Sequence, residues 1–257
     1  QIAIDEIAIG RGHRYLTVVL DLVSGAVVFV GDGKGAEALE PFWKRIKRAR
    51  ATIEAVAMDM SPAYISAVLA HLPGSVLVFD HFHIIKLFNE KLSDLRRDLY
   101  REATEKLHKD VLKGTRWLLL KNPENLDDTR DEPKRLQQAL RLNEPLATAY
   151  YMKDDLRRIW EQPNKQHARR VLNAWIQRAE TSGIRMLIRF ARTLAGHRNQ
   201  ILAYYDYPIS TGPLEGTNTK IRVLQRQAYG FRDTEFFKLK IYALHETRFE
   251  LIGGLAN

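Results

Sequence analysis

The sequence predicts an α/β fold, a mixed five-stranded sheet flanked by helices, interrupted by a large all-helical insertion before the last helices. Three observations carry this. Residues 2–30 read as three consecutive antiparallel strands, two further short apolar runs each follow a helical stretch, and from Ile84 to Tyr205 no run has strand period. The boundaries that follow are 1–83 for the first part of the sheet domain, 84–206 for the insertion, and 207–257 for the closing helices.

The first strand organises the rest. In IAIDEIAIG the isoleucines Ile2, Ile4, Ile7 and Ile9 fall on both faces, which places the strand in the middle of a sheet covered twice. Asp5 sits inside it and Glu6 points to the opposite face. An unpaired carboxylate there would cost several kcal/mol, so Asp5 must be paired, protonated or bound to a cation. The loop Gly10 to Arg14 leads into a strand over Tyr15 to Leu22, and Ser24-Gly25 turns the chain back into Ala26 to Val30.

Gly31-Asp32-Gly33-Lys34-Gly35 lacks the spacing of a phosphate loop, in which Lys directly follows the last Gly and precedes Ser or Thr, and reads as a turn. A helix is expected over Ala36 to Arg48, with Leu39, Trp43 and Ile46 on its buried side. Ile53 to Met58 is a short buried strand ending at Asp59, and an acid just past the carboxyl end of a core strand lies where open α/β sheets place their sites. Ser61-Pro62 starts the next helix and Pro73-Gly74 ends it. Ser75 to Phe79 is the fifth strand, closing on Asp80 in VFDHFHIIK.

In the insertion Phe88, Leu92, Leu95 and Leu99 follow helical spacing, Asn122 to Glu132 is an acidic connection, and Pro133, Pro145 and Pro163 mark helix starts or breaks. Two basic helices follow, over Lys165 to Thr181 and Ile184 to Tyr204. Trp117, Trp160 and Trp175 read as core anchors rather than base-stacking platforms. After the loop Pro208 to Pro213, a helix carries LEGTNTKIRVLQRQA. Glu215 lies in its first turn, and Asn218, Thr219 and Arg222 share its face at i+3, i+4 and i+7. Phe236 to Ile252 is expected as a last amphipathic helix.

Composition narrows the function. The chain has 257 residues, a formal net charge of +9 and no cysteine, which removes disulfides, thiolate zinc sites and cysteine nucleophiles. Absence of cysteine fits a reducing, cytoplasmic setting. The chain opens on Gln and enters a strand at once, which reads as a fragment of a longer protein. Pro41 to Arg50 carries five basic residues and no acid. Basic character recurs over 165–198 and at Lys220, Arg222, Arg226 and Arg232, which favours a polyphosphate partner. Lys44, Arg45, Arg169, Arg170, Lys220, Arg222 and Arg226 are the candidate phosphate contacts.

Three acids stand out by context, namely Asp5 within the first strand, Asp59 after the fourth and Glu215 at the start of a late helix. Carboxylates are hard ligands suited to Mg²⁺ or Mn²⁺, and a pair of such ions can drive in-line phosphodiester displacement. No nucleophile elbow and no HExxH or Cys/His zinc pattern occurs in the sequence.

The stretches AIDEIAIGRGHRYLTVVLD, VAMDMSPAY, VFDHFHIIK and STGPLEGTNTKIRVLQRQAYGF resemble, in order, those of the DDE transposases of bacterial insertion sequences, in particular the ISL3 group. The resemblance spans nearly the whole chain. It implies an RNase H-like catalytic core, with the family's metal-binding acids on Asp5, Asp59 and Glu215, Mg²⁺ as cofactor with Mn²⁺ as a substitute, and a basic residue on Arg222. Asp80, His83 and Asn218 are candidates for supporting roles beside the site. The resemblance further implies DNA end cleavage and strand transfer, element ends and target DNA as partners, and a homodimer or larger assembly on DNA at the nucleoid. Members usually carry an N-terminal zinc-binding and helix-turn-helix region, absent from these residues. Rival readings are an RNase H-like nuclease without strand transfer, an inactive domesticated DNA-binding protein, and a basic RNA-binding module.

Overall fold

In the computed structural model, which describes residues 1–10 and 14–245, five strands form one sheet in the order β3-β2-β1-β4-β5. The strands are β1 (Ile2–Gly10), β2 (Arg14–Asp21), β3 (Val27–Asp32), β4 (Ala55–Met58) and β5 (Val76–Phe79). β1 is central. It pairs antiparallel with β2, Asp5 facing Val18, and parallel with β4, where Ile2 and Ala3 face Val56 and Ala57. β5 runs parallel to β4, with Met58 opposite Phe79. This mixed sheet between helices is the RNase H-like arrangement.

Eleven α-helices occur among the described residues: α1 (Glu40–Ala49), α2 (Pro62–His71), α3 (His81–Glu102), α4 (Lys106–Gly114), α5 (Glu132–Leu142), α6 (Glu144–Arg157), α7 (Lys165–Thr181), α8 (Arg185–Gly196), α9 (Arg198–Leu202), α10 (Gly212–Gln227) and α11 (Thr234–Tyr242). They divide between two units. Residues 1–80 and 206–257 form one, residues 81–205 the other. No helix among the described residues is long and apolar enough to cross a membrane.

In the sheet unit, alternation sorts the strand residues between two layers. Ala3 and Ile7 of β1, Leu16, Val18 and Leu20 of β2, and Ala57 of β4 pack with Leu214 and Ile221 of α10 and Phe237 and Ile241 of α11. Asp5 falls on this face by parity, and Glu6 on the other. There Thr17 Oγ1 donates to the Gly33 carbonyl (2.9 Å) and lies 2.9 Å from the hydroxyl of Tyr64 on α2. Gly31 is required by close approach: a Cβ there would come within 2.2 Å of the Ala38 carbonyl oxygen.

Several expectations shift in detail. The helix over Ala36 to Arg48 is a 3₁₀ turn, Ala36–Leu39, followed by α1, because Pro41 has no N–H to continue the ladder and suits a first turn instead. The helix over Ile184 to Tyr204 breaks after Gly196, a poor helix former, and resumes as α9. The last helix starts at Thr234, capped by the Asp233 carboxylate on Phe236 N (3.1 Å), and its expected course past His245 lies outside the described residues, as do Arg11 to His13 of the first loop.

The helical unit is built on Phe88, Trp175 and Phe190, whose rings meet edge to face with centroids 5.0–6.0 Å apart. Trp175 is a core anchor, its indole donating to the Met152 carbonyl. Trp117 is not. It is 65% exposed, because the short turn after α4 leaves its ring under the Arg116 guanidinium rather than in the core. Trp160 is half-buried and lines a cavity.

Candidate active site

Strand register builds the site. Two residues beyond the paired Ala3 and Ala57, β1 and the end of β4 carry Asp5 and Asp59; one residue beyond the paired Met58 and Phe79 come Asp59 and Asp80. Three aspartates therefore stand level across three neighbouring parallel strands, Asp5 within β1 and Asp59 and Asp80 just past the carboxyl ends of β4 and β5, and adjacent strands lie about 4.8 Å apart. The Asp80 N–H still donates to the Met58 carbonyl (3.0 Å), so the ladder runs up to the acids.

Each aspartate is held by a different partner. Asp5 Oδ2 accepts from Asn218 Nδ2 of α10 at 2.9 Å. Asp59, half-buried, turns back on its own chain and accepts from Ser61 N (2.9 Å), the turn that opens α2. Asp80 is 1% exposed, and its Oδ2 accepts both the N–H (2.8 Å) and the Oγ1–H of Thr211, itself fully buried. Thr211 is the residue from which α10 starts. Asp80 thus sits at the positive end of that helix and pins it, with hydrogen bonds to a charged acceptor worth about 1.5–3 kcal/mol each.

α10 brings the fourth acid. Glu215 stands exposed in the first turn, and one of its carboxylate oxygens comes within 4.8 Å of one from Asp80. Asp5, Asp59 and Glu215 do not, among the described residues, close into a trio of that spacing. Asn218, one turn on, is 4% exposed; its Nδ2 is spent on Asp5 while its Oδ1 is buried without a hydrogen-bond partner among the described residues. Carboxylate and amide oxygens are the donors that hard divalent cations such as Mg²⁺ take. His83 lies in the first turn of α3, in the helical unit, half-buried.

Across the sheet, burial raises the Tyr64 phenol well above its ordinary range. Its hydrogen bond with Thr17 opposes the rise, and the charge and hydrogen bond of Glu6, with the charge of Asp59, add to it. Tyr64 therefore stays neutral as a hydrogen-bonding post behind the acids. Sequence reasoning missed Tyr64 and Thr211. The Ser-Thr-Gly-Pro run before Glu215 carried the signal for Thr211, since Ser or Thr before a first-turn proline marks a helix start.

Of the candidate phosphate contacts, Lys44, Arg169, Arg170, Lys220, Arg222 and Arg226 are exposed. Arg45 is exposed too, with one guanidinium nitrogen donating to the Val28 carbonyl (3.0 Å). Lys220, Arg222 and Arg226 ride on the helix that carries Glu215; Arg169 and Arg170 belong to α7 of the helical unit.

Known proteins resemble this chain over most of its length. The family model described as a transposase, that of the ISL3-type DDE transposases, matches residues 2–241. The transposase for insertion sequence element IS1001 of Bordetella parapertussis is 39% identical over 94% of this chain and 60% of its own length. The transposase for insertion sequence element IS1557 of Mycobacterium tuberculosis is 31% identical over 91% of this chain and 57% of its own. The chain thus spans about three fifths of the length of these curated relatives.

Proposed function

This chain belongs to the DDE transposase family of the ISL3 group, and from that premise we propose that it is a catalytic domain that cuts DNA at an element's ends and joins the freed 3′ hydroxyl to target DNA. The observation that carries the reading is the level row of Asp5 within β1 and Asp59 and Asp80 just past β4 and β5, with Glu215 brought near Asp80 by α10.

Asp5, Asp59 and Glu215 would hold Mg²⁺, or Mn²⁺ in its place. Bound there, the metal supplies activation of an attacking oxygen and stabilisation of a leaving one. The chain's own groups set the geometry. Asn218 orients Asp5, Ser61 N fixes Asp59, and Asp80 pins the start of α10 through Thr211 and so fixes the level of Glu215. Lys220, Arg222 and Arg226 hold DNA phosphates along the same helix, Arg222 two turns after Glu215, and the basic faces of α1 and α7 extend the contact. Such contacts position DNA without reading its sequence. The protein works as a homodimer or larger assembly on DNA, at the nucleoid.

The test uses supercoiled plasmid and an oligonucleotide with a free 3′ hydroxyl. Mg²⁺-dependent nicking together with oligonucleotide joining, both lost in Asp59→Asn with plasmid binding retained, is the expected result. Nicking without joining would make the chain a nuclease only. Metal-independent binding with neither activity, and no Mn²⁺ uptake by calorimetry, would sink the catalytic reading.

A further inference from the structure

A cavity of about 1020 Å³ lies within the helical unit. It is at the top of the roughly 300–1,000 Å³ range of small-molecule sites. One wall is aromatic. The His81 ring packs against Phe82, Trp160 and Tyr204 with centroids 4.1, 5.7 and 5.9 Å away, and all four residues line the cavity. The lining is also cationic, with Arg96, Arg97, Arg116 and Arg157. Glu90, Asp94 and Glu161 also line it; Asp94 is taken by Arg97, with Lys91 at 3.9 Å.

Three buried polar atoms on this lining have no hydrogen-bond partner among the described residues: the donors Trp160 Nε1 and Arg96 Nε, and the acceptor Asn89 Oδ1. A buried polar group left unpaired is costly, so the surface suits a ligand offering both acceptors and a donor. Arg96 spends one terminal nitrogen on the Leu112 carbonyl (2.9 Å). Burial first, and then the like charges of Arg116 and Arg97, lower its pKa, so these guanidinium groups crowd one another in a way that an anion would relieve. An aromatic wall with unpaired edge groups beside crowded guanidinium groups matches a nucleobase attached to its phosphate.

We propose that this cavity binds an unstacked nucleotide of a DNA single strand, its base against Trp160 and its phosphate on Arg96, Arg97 and Arg116. The proposal rests on the reading of the chain as a DNA-processing protein and adds a strand-binding site outside the acids. A duplex base must leave its stack to enter, so the site selects frayed, nicked or cleaved DNA.

The test is binding of the whole chain to a single strand ~10 nucleotides long, a length typical of single-strand sites, carrying 2-aminopurine. Wild type is expected to quench the probe and to prefer the single strand over its duplex. Trp160→Ala should weaken binding roughly 5- to 150-fold, as for loss of one stacked base, with Trp160→Phe restoring most of it. Arg116→Ala, at an exposed position, should lower the salt slope of single-strand binding by about 0.7. Equal binding by wild type and both Trp160 variants, equal affinity for duplex, tighter binding of the matching RNA, or full competition by free thymidine monophosphate would each overturn the proposal. Plasmid nicking reports separately on the acids. Trp160-dependent strand binding without nicking leaves the cavity standing and the catalytic reading fallen; nicking without Trp160-dependent binding does the reverse.

Discussion

The two units place their charged groups by different means. In the sheet unit a backbone ladder does it: once Ala3 faces Ala57 and Met58 faces Phe79, Asp5, Asp59 and Asp80 have no choice but to stand level. In the helical unit no ladder links one element to the next, and groups meet because side chains pack. His81, Asn89, Arg96, Arg116, Trp160 and Tyr204 line one cavity although up to 123 residues separate them along the chain. Acids set by register tolerate little movement and suit chemistry; a cavity set by packing tolerates adjustment and suits binding.

The largest expected effect breaks the ladder side. Asp59→Asn keeps the shape and the hydrogen bond from Ser61 but removes a charge, and should cut plasmid nicking on the order of 10³-fold or more, since a bound ion's charge stabilisation is worth several kcal/mol. Unchanged nicking would take Asp59 out of the mechanism.

Next comes a charge inside the helical unit. Lys153 is fully buried, its ammonium donating to the Leu119 and Lys121 carbonyls at 2.9 Å, and burial first of all lowers its pKa from 10.5 to about 8. A lysine with a depressed folded pKa gives up its proton in the native state before the unfolded chain does. Below about 8 both states are charged and the folded state carries the full penalty. As pH rises from about 8 to 10.5, stability should gain up to roughly 3 kcal/mol. Lys153→Met, compared with the parent by urea unfolding at pH 7 and pH 9.5, should lack that gain; parallel pH profiles would refute it.

A smaller effect tests how the ladder is joined to α10. Thr211→Val removes the hydroxyl that Asp80 accepts but keeps the N–H. It should cost about 1.5–3 kcal/mol in unfolding free energy and lower nicking further than the stability loss explains, because the level of Glu215 depends on this contact. Full nicking in a chain that melts earlier would leave Thr211 a structural role only.

The smallest is electrostatic. Lys220→Ala and Arg222→Ala, both exposed, should each reduce the salt slope of plasmid binding by about one, with thermal stability within about 0.5 kcal/mol of wild type. Salt slopes equal to wild type would remove α10 from the DNA contact.

What could be read from the sequence follows the same division. Period-two alternation in IAIDEIAIG and the short apolar runs before Asp59 and Asp80 are local signals, and they located all five strands to within a few residues. Pro133 and Pro145 opened α5 and α6 in the same local way, since proline suits a first turn. The family followed from four motifs in order. Exposure of Trp117 against burial of Trp175 was not legible, because both sit among helix-forming residues and only the packing of neighbouring helices separates them.

By itself, then, the sequence determined the strands, the helix starts, the basic surface and the family, because each is written in neighbouring residues or short motifs. Tertiary structure decided the rest. It tied Asp80 to Thr211 across 131 positions and Asp5 to Asn218 across 213, set Tyr64 behind the acids, and gathered an aromatic wall and a cluster of arginines around one cavity. Those contacts depend on distances closed only when sheet and helices pack, and no local pattern encodes such a distance.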